Sequence, residues 1–242
     1  MPSWFHPYLV RNWEETGLQN ATGSASRRGP VLAVAAAVTF TVAMIAWYLI
    51  SYVFGLPPTV DAHANGRGTA ITLQTVAATG HAPHPDWVSY YAMNPSGKWV
   101  HGTILKVPAH STVTVTVINF DGMSGLRNPF LSQPRGTIGS VSVNGKPLRV
   151  MNPDEASHTF TIPRLGVSVP ILGVGDNAPN QCDVPAPCPM STAHTTTTFT
   201  IKTGKPGWYR WQCFVPCGAG WIFGNGGPMQ TVGYMDGYLQ VA

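Results

Sequence analysis

Residues 31–56 form one apolar run of 26 positions without a charge. A helix needs about 20 such residues to cross a bilayer, whereas the apolar core of a signal peptide spans roughly 7–15. Ala62-His63-Ala64 imitates a cleavage site, but the run ahead of it is too long for a signal peptide. The pattern predicts a retained single-pass anchor, dividing the chain into a cytoplasmic segment (1–29), a transmembrane helix (30–56) and an exterior domain (57–242). Arg11, Arg27 and Arg28 precede the run, and no Lys or Arg follows it until Arg67. The positive-inside rule therefore places the N-terminus in the cytoplasm and 57–242 on the outer side of the cell membrane. Trp47, Tyr48 and Tyr52 suit an interfacial aromatic belt.

Beyond the anchor the period changes to two. Thr112-Val-Thr-Val-Thr-Val117 alternates polar with apolar, the signature of a half-buried strand. Further strands are expected at 69–76, 87–92, 103–107, 138–143, 158–162, 196–202, 208–212 and 238–241. Turn-formers separate them, and Asn144-Gly145 is a type I′ hairpin signal. Short strands at this spacing predict a mainly β sandwich or barrel. The stretches 121–135 and 173–190 read as long loops.

Composition narrows the picture. Charged residues make 10% of the chain, against roughly 25% in an ordinary soluble domain. The anchor does not explain this, because 57–242 alone holds 11 cations and 8 anions. The surface of the β-domain must be covered by uncharged polar residues or by a partner, or must face acidic medium. Net charge is +4, with basic residues scattered singly apart from Arg27-Arg28, so no nucleic-acid stripe is present. No nucleophile–base motif, phosphate-cradling glycine loop or carboxylate pair stands out.

Candidate chemistry lies with four cysteines. An exterior location permits disulfides, and Cys182 and Cys188, in one Pro-rich loop, are expected to pair. Cys213 and Cys217 follow the strand at 208–212 and precede a Gly-rich loop ending at Met235, after which a last strand closes the chain. This order resembles the cupredoxin fold, in which a strand delivers a Cys ligand, a short loop adds further ligands, and one His comes from far upstream. Glu155-Ala-Ser-His158-Thr-Phe-Thr-Ile-Pro163-Arg-Leu-Gly-Val resembles the His-containing segment of cytochrome oxidase subunit II. Gly207-Trp-Tyr-Arg-Trp-Gln-Cys213-Phe-Val-Pro-Cys217 resembles that subunit's dinuclear-copper loop, and the single N-terminal anchor is similar to the B-type members.

The resemblance implies a cupredoxin-like Greek-key β-sandwich with one transmembrane helix, and His158, Cys213, Cys217 and Met235 as candidate copper ligands. It also implies that a normal dinuclear centre cannot form. The position of the second His is Trp221, that of the Met is Gly224, and the carbonyl-ligand position between the cysteines is Val215. Three arrangements remain open. The copper site is lost and Cys213 and Cys217 are a disulfide or two buried thiols, which is the arrangement the missing imidazole favours. Otherwise a rearranged copper site uses His158, Cys213, Cys217 and Met235 or Met229, or His194 or another upstream His supplies the imidazole. His81 and His84 could pair in a Pro-rich loop, while His101 and His110 flank one strand and read as solvent-facing, and His63 and His6 lie near termini. Trp208, Tyr209, Trp211, Phe214, Trp221 and Phe223 read as core or interface, with an electron path through Trp211 or Trp221 as the sharper alternative.

The implied function is a subunit II-like, membrane-anchored component of a haem-copper respiratory terminal oxidase. It would lack a normal dinuclear copper centre, as in quinol oxidases, and would cap the catalytic subunit without being catalytic itself. The alternatives are a membrane-tethered mononuclear cupredoxin electron carrier and a structural or copper-handling subunit of another membrane complex.

Overall fold

A computed structural model describes residues 28–53, 55–66, 68–77, 87–218 and 227–242. The chain divides into two units, 1–53 and 54–242. In the first, helix α1 (Arg28–Tyr48) continues into one π-type turn, Leu49–Val53. At about 1.5 Å rise per residue, these elements together reach the roughly 30 Å of a bilayer's hydrocarbon core. Thr39 and Thr41 are compatible with that setting, because each hydroxyl donates to the carbonyl one turn earlier, on Ala35 and Ala37, at 2.9 Å.

Among its described residues, the second unit holds fourteen strands: β1 (Thr59–Asp61), β2 (His63–Asn65), β3 (Gly68–Val76), β4 (Ser89–Met93), β5 (Trp99–Val100), β6 (Ile104–Val107), β7 (Thr112–Asn119), β8 (Val141–Val143), β9 (Lys146–Leu148), β10 (Ala156–Ile162), β11 (Val167–Leu172), β12 (Thr195–Lys202), β13 (Gly207–Gln212) and β14 (Asp236–Val241). They form two sheets. One has the order β1-β6-β14-β13-β10-β11; the other runs β5-β4-β3-β7-β12-β8-β9, with β2 added beside β3. The β1/β6, β6/β14 and β3/β7 pairs are parallel, so the chain crosses between sheets instead of folding as a simple meander.

The alternation read in the sequence sets the packing. Val113, Val115 and Val117 on β7 are fully buried, while Thr112, Thr114 and Thr116 face outward. On β12 the inward set is Thr195, Thr197, Phe199 and Ile201, and the outward threonines meet those of β7 across the ladder as Thr198↔Thr116 and Thr200↔Thr114. Uncharged hydroxyls therefore cover much of this face, which accounts locally for the low charge. Between the sheets, Phe160 stacks on Trp211 with ring centroids 5.0 Å apart, and Phe199 lies 5.8 Å from Phe160. Fully burying one such side chain contributes about 1.5–3 kcal/mol.

Four local features bear on the sequence reading. Asn144 and Gly145 both adopt positive φ, at 50° and 78°, as a type I′ turn requires, and they join β8 to β9. The strand expected at 138–143 begins only at Val141, because Gly139 turns the chain with φ 70°. Strand β11 was not among those expected, and it contains Pro170, a residue confined to edge strands and bulges within sheets. It lies at a sheet edge, where the proline leaves no ladder donor missing. Cys182 and Cys188 form a disulfide. Their loop is fastened to β3 by Gln74, whose side chain donates to the Cys188 carbonyl and accepts from the Cys188 amide, each at 3.1 Å.

Candidate metal centre

Neighbouring strands build the site. In the sheet, β10 lies beside β13 and β13 beside β14. His158 sits near the start of β10, just past a register irregularity between Ala156 and His158. Cys213 immediately follows β13, and its amide donates to the Met235 carbonyl at 2.9 Å. Two crossed bonds lock the start of the Cys loop to β10. The Thr159 amide donates to Cys213 Sγ at 3.3 Å, and the Phe214 amide donates to Thr159 Oγ1 at 2.7 Å. The loop then curls back so that Cys217 faces Cys213.

The two cysteines are not bridged; their sulfurs lie 3.2 Å apart. His158 Nδ1 is 3.0 Å from Cys217 Sγ and 3.9 Å from Cys213 Sγ. The donor atoms of His158, Cys213 and Cys217 all lie within 4.8 Å of one another. Among the described residues this is the one such group of His, Cys or acidic side chains. The Val215 carbonyl also turns inward, 3.1 Å from Cys217 Sγ and 3.6 Å from Cys213 Sγ. Cys213 and Val215 are buried, His158 is 2% exposed, and Cys217 is half-buried.

The electrostatics follow from this crowding. Burial opposes a charged imidazole, but hydrogen bonds to Asp121 and Cys213 outweigh it and raise His158 to about 9. Burial likewise opposes a Cys213 thiolate, yet hydrogen bonds from Cys217 and His158 hold its thiol well below the ordinary value. Cys217 is pushed up, first by its hydrogen bond to Cys213 and then by burial. A soft cation binding here would displace protons from its Cys and His ligands. Two thiolates and an imidazole fit such a cation.

The two methionines occupy different places. Met229 Sδ accepts from the Cys217 amide at 3.2 Å, so its thioether touches the Cys loop. Met235 is fully buried and is tied to the site through its backbone carbonyl. His194 is not in the cluster. Its Nδ1 lies 2.8 Å from the Thr192 carbonyl and its ring packs on Phe120. His101 packs against Tyr91 and Tyr234 and lies 2.7 Å from Ser89 Oγ. His63 lies 3.3 Å from Thr72 Oγ1. Trp221, Phe223, Gly224, His6, His81 and His84 fall outside the described residues.

Two residues near the cluster were not singled out in the sequence. Asp121 Oδ2 lies 3.1 Å from His158 Nε2. Burial alone would raise its carboxyl, but the hydrogen bond to His158 lowers it instead. Its one local signal is the Asn119-Phe-Asp-Gly turn, which says nothing of a distant histidine. Tyr90 on β4 meets the His158 ring at 6.4 Å and the Trp211 ring at 5.0 Å, both edge-on. An aromatic column thus leads from the site through Trp211 to Phe160. A cleft of about 600 Å³ reaches His158 and Cys217 past Asp121 and Met123.

No protein-family model matches the chain, and no curated protein matches it. Among solved structures, the chain is similar to rusticyanin from Thiobacillus ferrooxidans, with 17% identity over 75% of this chain and 82% of that chain and a TM-score of 0.32. It is also similar to a multicopper oxidase, with 11% identity over 78% of this chain and 46% of that chain and a TM-score of 0.27. The fold is mainly β, a sandwich of two sheets, and among the described residues one apolar helix, 23 residues long and near the N-terminus, is long enough to span a membrane.

Proposed function

We propose that this chain is a membrane-anchored copper protein, the subunit II-like component of a haem-copper respiratory oxidase, whose exterior domain holds one copper in place of a dinuclear centre. The observation that carries the copper reading is the convergence of His158 Nδ1 and the unbridged sulfurs of Cys213 and Cys217. His158, Cys213 and Cys217 would hold the ion, with the Met229 thioether beside them. Bound copper would supply one-electron chemistry. Two thiolates favour its softer Cu(I) state. With a single imidazole among the cluster's donors, the site suits one ion.

Orientation and place in a complex rest on the sequence. The arginines ahead of α1 favour a cytoplasmic N-terminus, and the Cys182–Cys188 disulfide is at home in an oxidising exterior compartment. The oxidase assignment is supported by the His158 segment and by the Cys213–Cys217 spacing. The test is purification of the tagged full chain from its native membranes with haem and copper quantified together. Co-purifying haem, with one copper per copy of this chain beyond the copper of the haem-containing subunit, is expected. A copper-loaded chain that brings no haem partner contradicts the oxidase assignment and favours the tethered electron carrier.

A further inference from the structure

We infer that Asp121 is the positioning residue of this copper site: its carboxylate holds His158 by Nε2, aims Nδ1 at both sulfurs, and biases the site between the two copper oxidation states. The inference rests on the copper reading above.

The chain fastens Asp121 before Asp121 fastens His158. Strand β7 ends at the fully buried Asn119, whose Oδ1 accepts the Thr75 hydroxyl and, at 3.3 Å, the Asp121 amide. The Asn119 side-chain NH2 donates to the Asp121 carbonyl at 2.9 Å and to the Leu172 carbonyl at 3.0 Å. The Val174 amide also donates to the Asp121 carbonyl, at 2.9 Å. Asp121 Oδ1 is held by the Gly122 amide at 2.8 Å, which leaves Oδ2 for His158 Nε2 at 3.1 Å. An ionised carboxylate only accepts hydrogen bonds, so it keeps a proton on Nε2 and leaves Nδ1, 3.0 and 3.9 Å from the two sulfurs, as the nitrogen that would bind the metal. Carboxylate partners of this kind orient a metal-bound imidazole and raise its basicity. The carboxylate also adds a negative charge to a set that already includes two thiols, which favours the more highly charged Cu(II).

The experiment uses the detergent-solubilised full chain, loaded with copper alone. Affinities come from competition against chelators of known strength, and the midpoint potential is measured separately. Asp121→Asn keeps the side-chain volume and removes the charge. It is expected to lose about tenfold in Cu(II) affinity, within the roughly 10–100-fold range for outer partners, with Cu(I) affinity nearly unchanged. That tenfold difference is about a 59 mV rise in potential, whereas Asp121→Glu, which keeps the charge, retains most of the original potential. A purely structural role would lower both affinities together and leave the potential in place, and that result overturns the inference. Nitrogen-15 NMR of the Cu(I)-loaded wild-type chain gives a test free of any folding defect. A protonated Nε2 and a metal-bound Nδ1 on His158 are expected, and the reverse assignment overturns the inference. Failure of the wild-type chain to take up copper sinks the copper reading and this inference with it. Uptake with an unmoved potential in Asp121→Asn sinks the role of Asp121 alone.

Discussion

Gly237→Ala tests how tightly the closing strand governs the site. Gly237 immediately precedes the parallel contact of β14 with β6, which begins at Tyr238↔Ile104. A Cβ built on it would stand 2.1 Å from the Thr103 carbonyl oxygen, 2.7 Å from Thr103 Cβ and 2.9 Å from its carbonyl carbon. An ordinary contact needs more than 3 Å, so the strands must part by about 1 Å. The Thr103 oxygen accepts from the Tyr238 amide and from Trp211 Nε1, each at 3.0 Å. Losing both bonds costs about 0.5–1.5 kcal/mol apiece, and overpacking adds about 1–3 kcal/mol. The total is about 2–6 kcal/mol, a large share of the roughly 5–15 kcal/mol that holds a domain together. The damage should also reach the metal centre, because Met235, two residues earlier, accepts the Cys213 amide. Guanidinium titration followed by tryptophan fluorescence reads the stability, and chelator competition reads Cu(I) affinity. An alanine variant within 1 kcal/mol of wild type, with unchanged affinity, would refute this account of the β6–β14 contact.

Two further outcomes follow from the same geometry. Cys213→Ala and Cys217→Ala should each weaken Cu(I) binding by more than the roughly 10–100-fold worth of an outer partner, while the double variant Cys182→Ala/Cys188→Ala stays within about threefold; equal losses at the two pairs would contradict the assignment of the site. Alkaline pH should destabilise the exterior domain. Burial raises Tyr90, Tyr91 and Tyr234, with the charges of Cys213 and Cys217 adding to Tyr90 and Tyr234 adding to Tyr91. The folded state therefore keeps protons that the unfolded state gives up, and stability that is complete below pH of about 10 falls above it; a guanidinium midpoint that stays flat between pH 9 and 11 would contradict this.

Much of the sandwich was legible because its signals are local. Alternation marks β7 and β12, and Asn144-Gly145 marks the hairpin of β8 and β9. Strand β11 was missed, and its Pro170 is tolerated because the strand lies at a sheet edge. At the site, His158, Cys213 and Cys217 could be named together because the spacing of the cysteines and the segment around the histidine each resemble a known pattern. Whether the sulfurs are joined could not be read, because it depends on how the loop after β13 curls against β10. The sequence left Met235 and Met229 both open as the thioether; the Met229 sulfur accepts from the Cys217 amide. Asp121 was invisible as a partner of His158, because 37 residues separate them and only the packing of the turn after β7 against β10 brings them together.

The central claim is that His158, Cys213 and Cys217 form a single soft copper site. Anaerobic Cu(I) titration of the full chain, followed by copper X-ray absorption, tests it most directly. The account predicts one copper per chain, with two sulfur scatterers and one nitrogen scatterer that is lost in His158→Ala. Two coppers with a purple, near-infrared-absorbing centre, or a chain that retains no copper, would contradict it.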